Sequence, residues 1–97
     1  MPTYIMMGRF TSQGMDKIRA SPARIDTARE TMSTQGAELK AWYVVNGQFD
    51  YVAIIEAPDE ETMAQIVLSI GSHGNITTQT MRAFTEPEYR QIIANLS

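Results

Sequence analysis

Few side chains in this sequence are suited to chemistry. His73 is the single histidine, set in the loop-like run Gly71-Ser72-His73-Gly74. Imidazole as a group suits proton transfer near neutrality. Asp50 is the carboxylate closest to the Asn46-Gly47 turn signal; it and His73 are separate catalytic candidates, and the spacing assigns no nucleophile–base pair. Arg9 and Arg82 are each able to grip a carboxylate through two parallel N–H groups. Trp42 and Tyr51 offer flat apolar surface, and these four residues are the candidate ligand-binding set. Each has a plainer role beside the functional one: an exposed loop histidine, a turn-stabilising aspartate, arginines in ion pairs with Glu56, and aromatic interface core.

Other chemistries are excluded or unsupported. The chain has no cysteine, so disulfides, thiolate catalysis and Cys-bound metals are ruled out. One histidine without a spaced partner gives no metal signature. No phosphate loop is present, because Gly71-Ser72-His73-Gly74 lacks the following Lys-Ser/Thr. No cofactor motif is found, and the seven methionines read as adaptable core filling. The net charge is -3, without the basic stripe that nucleic-acid binding leaves. Lys17, Arg19, Arg24 and Arg29 alternate with Asp16, Asp26 and Glu30 and read as a solvated helix face. No stretch approaches the roughly 18 apolar residues of a membrane helix. Met1-Pro2-Thr3-Tyr4 does not begin a signal peptide, so the cytoplasm is the expected compartment.

The elements that must position these residues follow from patterning. The 97 residues, 43% hydrophobic and 20% charged, are expected to form one domain spanning 1–97. Thr3 to Phe10 reads as a strand, and Gly14 to Ala20 has room for a helical turn. Ser21-Pro22 predicts a helix start, with Ser as N-cap and Pro at the first helical position. Ile25, Ala28 and Met32 then follow helical spacing, and Gly36 is the stop. Glu38 to Val45 and Phe49 to Ala57 read as strands two and three. Asp59 caps a helix whose stripe is Met63, Ile66, Val67 and Ile70. Ile76 to Phe84 is the fourth strand. Thr85-Glu86-Pro87-Glu88 has the form of a capping box, opening a short helix with Tyr89, Ile92, Ile93 and Leu96 on one side. The order is βαββαβ plus a terminal helix, an α+β ferredoxin-like fold. It predicts a four-stranded antiparallel sheet with two helices on one face.

Asn46-Gly47 predicts a two-residue type I′ hairpin. That register sets Tyr43 opposite Asp50 and Trp42 opposite Tyr51. One hairpin face then carries Leu39, Ala41, Tyr43, Asp50, Val52 and Ile54, and the other Trp42, Val44, Phe49, Tyr51, Ala53 and Ile55. The first, small and aliphatic, is expected to pack on the helices. The second, broad and aromatic, is expected to meet the sheet of a second subunit, since water would leave a large apolar patch uncovered. Thr78, Thr80 and Arg82 are expected on that same non-helical face, as a solvated edge strand or as the lining of a space between subunits.

Several segments together resemble the GYD domain family: Met1-Pro2-Thr3-Tyr4, Gly8-Arg9-Phe10-Thr11, Gly47-Gln48-Phe49-Asp50, Val52-Ala53-Ile54-Ile55-Glu56-Ala57-Pro58-Asp59, Gly74-Asn75 and Arg82-Ala83-Phe84-Thr85. The resemblance runs over nearly the whole chain. Phe49 stands where the family's Gly-x-Tyr-Asp segment has tyrosine, so that hydroxyl is missing, while Gly47 and Asp50 remain. The resemblance implies a ferredoxin-like subunit of the dimeric α/β-barrel type. The expected function is a small homo-oligomer, a dimer or larger, holding an apolar or aromatic ligand at the subunit interface. The alternative is a cofactor-independent oxygenase or isomerase working in the same space. A module that binds another protein is a third class.

Overall fold

The computed structural model describes all residues from Met1 to Ser97. Strand β1 (Thr3–Phe10) is followed by a short helix α1 (Ser12–Asp16), a 3-10 turn (Ile18–Ala20) and helix α2 (Ser21–Thr34). Strands β2 (Glu38–Val44) and β3 (Tyr51–Glu56), helix α3 (Glu60–Ser72), strand β4 (Ile76–Ala83) and helix α4 (Glu86–Ala94) complete the chain. The four strands form one antiparallel sheet in the order β2-β3-β1-β4. This is the ferredoxin-like arrangement that the element order predicts.

The helix boundaries follow local chemistry. Thr11 accepts from the Gly14 amide and so opens α1. Helix α2 starts one residue earlier than Ser21-Pro22 suggests. The 3-10 turn runs straight into it, Ala20 takes the cap position, and no side chain caps the end. The helix stops at Gly36, whose φ is +77°. The Gly36 amide donates to the Ser33 carbonyl and that of Ala37 to Met32, the reciprocal pair of bonds that ends helices at glycine. Asp59 Oδ1 accepts from the Thr62 amide at 2.7 Å and starts α3. Thr85 and Glu88 form the reciprocal capping box of α4.

The core lies between the sheet and the helices. Tyr4 and Met6 of β1, Ala53 and Ile55 of β3 and Leu39 of β2 pack against Met32 of α2 and Met63 and Ile66 of α3. Burying such side chains contributes about 1.5–3 kcal/mol each.

The hairpin corrects two expectations. The final ladder pair is Val44 with Tyr51, and the Val45 amide donates to the Asp50 carbonyl at 2.8 Å. The loop is therefore Asn46 to Phe49, and neither Asn46 nor Gly47 has positive φ. The register slides by two residues, so Tyr43 pairs with Val52 and Trp42 with Ala53. A slide of two preserves side-chain parity, and a bulge between Leu39 and Ala41 moves only Leu39 to the other face.

The faces are reversed from expectation. Trp42, Tyr51, Ala53 and Ile55 lie beneath the helices. The open face carries Ala41, Tyr43, Val52, Ile54, Ile5, Met7 and Met81, joined across the sheet by the pairs Ala41–Ile54, Tyr43–Val52, Ile5–Ile54, Met7–Val52 and Ile5–Met81. Thr80 pairs with Met6 and Arg82 with Tyr4, so Thr78, Thr80 and Arg82 belong to the helical face and not to the open one. Gly8 decides the matter. On the helical side of β1 it alone leaves room for the Tyr51 ring, which lies over its backbone.

Helix α4 stands clear of this core. Tyr89, Ile92, Ile93 and Leu96 are all exposed, and the molecule reaches 52 Å along its longest axis against 18 Å along its shortest.

Candidate functional site

Residues of the Gly47-Gln48-Phe49-Asp50 segment clasp the hairpin tip to the end of β1. Arg9 Nε donates to the Gln48 carbonyl at 2.6 Å, and its guanidinium sits 5.0 Å from the Phe49 ring centre. Asp50 Oδ2 accepts from the Phe10 amide at 2.9 Å, and the Asp50 amide donates to the Gly8 carbonyl at 2.8 Å. These tertiary bonds tie Gln48 and Asp50 to β1, and Asn46 to Phe49 bridge the strands as a four-residue loop in place of a two-residue turn. Phe49 supplies a ring face to Arg9, an interaction that needs no hydroxyl. Arg9 and Asp50 are thus occupied with backbone at the clasp.

On the other side of the sheet, a partly open cavity of about 520 Å³ lies beneath α2 and α3. Its aromatic floor is built by neighbouring strands. Trp42 stacks on Tyr51 with ring centres 5.3 Å apart, and Phe10 sits 5.9 Å from Tyr51 at a tilt of 41°. Met6, Leu39 and Ala53 extend the floor, while Ile25, Ala28 and Met32 of α2 and Ile66 and Ile70 of α3 form the roof. The volume falls in the range of small-molecule sites, and an apolar lining with a few polar groups is their usual character.

The polar groups of the wall are not all satisfied. Tyr51 is 3% exposed, yet its hydroxyl makes no hydrogen bond. Burial pushes its phenol pKa well above the ordinary range, so the group stays protonated as a donor. Arg24 of α2 donates from Nη1 to the Lys17 carbonyl at 3.1 Å, while its Nη2 is buried without a partner. Buried polar groups left unpaired are uncommon and costly. Here two of them belong to the wall of one cavity.

The residues expected from the sequence divide between places. Trp42 and Tyr51 meet in the cavity, within the subunit rather than on the outer face. His73 caps the C-terminus of α3 and lines the rim, its carbonyl accepting from Gln13 Nε2 at 3.0 Å. Asp50 and Arg9 hold the clasp. Arg82 lies at the far end of β4, where it donates to the Thr3 carbonyl at 3.2 Å and to that of Ala83. Its guanidinium sits 4.4 Å from the Phe84 ring centre and 5.7 Å from that of Tyr4. No ion pair joins either arginine to Glu56. The four ligand candidates therefore lie in three places, and His73 lines the cavity while Asp50 does not.

Sequence reasoning missed Lys17 and Arg24, which alternating charges assign to a solvated face. A signal was present. Arg24 precedes Ala28 by four residues and Thr31 by seven, which places it at the margin of the α2 face that turns inward, and all three line the cavity.

Comparison with known proteins gives a consistent family and fold. The GYD domain profile matches residues 4–93. The glutamine synthetase and cystathionine beta-lyase binding protein of Thermus thermophilus is 32% identical over 84 residues, spanning 86% of this chain and 88% of that protein. The crystal structure of MtbAldR superimposes with a TM-score of 0.69 at 16% identity, over 88% of this chain and 52% of its own, so this chain spans about half of it. FFRP-DM1 gives a TM-score of 0.59 at 21% identity, over 87% of this chain and 100% of its own. A crystal structure of a protein from Thermus thermophilus gives 0.56 at 23%, over 88% of this chain and 95% of that one. Identities this low speak to the fold alone.

Proposed function

The chain belongs to the GYD domain family, and from that premise we propose that it is a ligand-binding subunit of a homo-oligomer. The ligand is small and apolar or aromatic. Its place is the cavity beneath α2 and α3, not the space between subunits. One observation carries the reading: a cavity of about 520 Å³ floored by Trp42, Tyr51 and Phe10, with the Tyr51 hydroxyl buried in its wall and unpaired. Self-association has separate support. Ile5, Met7, Val52 and Ile54 form a continuous apolar surface on the open face, outside the core, and soluble chains seldom leave such a patch in water.

Native mass spectrometry of the chain purified from its host tests both parts. The expected spectrum shows a multimer carrying a small molecule that Trp42→Ala no longer retains. A single-chain mass at micromolar concentration overturns the oligomer. A ligand kept equally by Trp42→Ala overturns the cavity as its site.

Two further readings each have one observation behind them. A cofactor-independent oxygenase or isomerase is favoured by His73 on the cavity rim. Against it, the wall holds no Asp or Glu, and Asp50 is engaged with the Phe10 amide, so His73 lacks a carboxylate partner for acid–base work. Binding to another protein is favoured by the name of the Thermus relative. The exposed α4 stripe and the open sheet face are the surfaces such a partner would use, and co-purification that survives loss of α4 counts against the first of them.

A further inference from the structure

We infer that the cavity is selective for a small organic acid, an aromatic or branched apolar monocarboxylate, whose carboxylate is held on the Arg24 and Lys17 side. The inference rests on the ligand-binding reading above and adds the charge of the ligand to it.

The argument begins with the distribution of charge. The chain carries 11 acidic and 8 basic residues, so its surface as a whole repels anions. The cavity wall departs from that average. It contains Lys17 and Arg24 but no aspartate or glutamate. Neither cation is in an ion pair. Lys17 is exposed and Arg24 partly buried, so the wall sets positive charge without an ion-pair partner at the margin of an apolar floor, where lower polarity strengthens the attraction for an anion.

Arg24 shows how the anion is held. One arm of its guanidinium is anchored to the Lys17 carbonyl at 3.1 Å. That bond restrains the side chain and brings the Lys17 backbone next to it. The other arm, Nη2, is shielded from water without an acceptor. A guanidinium nitrogen shielded from water with unused N–H groups is costly, and a carboxylate is the acceptor the planar fork fits. The floor limits the remainder of the ligand. Trp42 and Tyr51 stack as a flat apolar surface, suited to a ring or a branched chain and not to a free inorganic ion.

The test compares acids with their uncharged isosteres on the full chain by isothermal titration calorimetry. The probes are indole-3-acetate against indole-3-acetamide, and 3-phenylpropionate against 3-phenylpropionamide. The expected result is at least tenfold tighter binding of each acid than of its amide. Added salt should weaken the acids only. In Arg24→Gln, checked for folding by its melting curve, the advantage of each acid over its own amide should disappear. Arg24→Lys, which keeps the charge without the fork, should fall between. Equal affinity of acid and amide in the parent chain, or an unchanged ratio in folded Arg24→Gln, overturns the carboxylate inference and leaves the apolar cavity standing. Failure of both acids and both amides to bind at millimolar concentration overturns the ligand-binding reading along with it.

Discussion

The outer end of the Tyr51 ring lies over Gly8 on the adjacent strand, so closely that a Cβ at position 8 would overlap ring carbons Cε1 and Cζ. The two residues are direct partners in the β1–β3 ladder. The missing side chain of one makes the bed for the aromatic ring of the other. Gly8→Ala should therefore destabilise the fold by about 2 kcal/mol through overpacking, net of the small gain from replacing a strand glycine. Thermal or urea denaturation reads this directly. An unchanged midpoint would show that the ring moves aside at no cost.

Tyr51→Phe removes a buried hydroxyl that makes no hydrogen bond. In the ligand-free chain this variant should be as stable as the parent or more stable by about 1 kcal/mol, since desolvation of an unpaired group is relieved. The pH dependence has a definite sign. Burial raises the folded-state pKa, so an unfolded tyrosine loses its proton near pH 10 while the folded one retains it. The contribution is present below about pH 10 and declines as pH rises above it. Alkaline melting curves of the parent should fall more steeply with pH than those of Tyr51→Phe.

Asp50→Ala leaves the Phe10 amide without its acceptor and loosens the hairpin tip. The expected cost is about 1–2 kcal/mol. Affinity for a cavity ligand should be unchanged in the folded variant, because Asp50 does not line the cavity. Asp50→Asn, which keeps a carbonyl acceptor, should recover most of the stability. A fully stable Asp50→Ala that has lost ligand affinity would move Asp50 from structure to function.

The hairpin also marks where reading the sequence stops. Its existence was legible from two apolar runs around Asn46-Gly47, as were the helix stop at Gly36 and the caps at Asp59 and Thr85, since all are local. Loop length was not, because Arg9, Phe10 and Gly8 set it from across the sheet. Alternation separates Trp42, Tyr51 and Ala53 from Tyr43, Val52 and Ile54, but both sets are apolar and period alone does not say which lies inside. The deciding feature was Gly8, which is distant in sequence from all of them. The site was legible only in part for a related reason. Trp42 and Tyr51 stand out as aromatics, whereas Arg24 resembles any helix cation until α2 is docked on the sheet.

Asp59 and Glu88 each accept a backbone N–H at the start of a helix. Hydrogen bonds from Thr62 and Thr85 hold both carboxyls below their ordinary range. A folded-state pKa lower than the unfolded one stabilises above the ordinary carboxylate range, and the benefit is lost as pH falls through the folded value. The Thr62 and Thr85 amide resonances should titrate at lower pH than an unrestrained Asp or Glu. Midpoints at ordinary values would rule out the caps as charged acceptors.

Val52→Glu or Ile54→Glu puts a charge in the centre of the open face without touching the helical side. Under the proposed self-association, each should yield a single-copy species that keeps its helix content. An unaltered oligomer would show that this face is not the contact.

Helix α4 has a consequence for how the size of this protein is measured. An apolar arm held away from an 18 Å thick body, within a 52 Å long axis, increases frictional drag even for one chain. The elution volume of a lone copy would then correspond to a heavier globular standard, and rotational diffusion would be slower about the short axes than for a sphere of equal mass. A scattering-derived mass does not depend on shape, so agreement between scattering and elution after removal of residues 86–97 would identify the arm as the source of the excess drag.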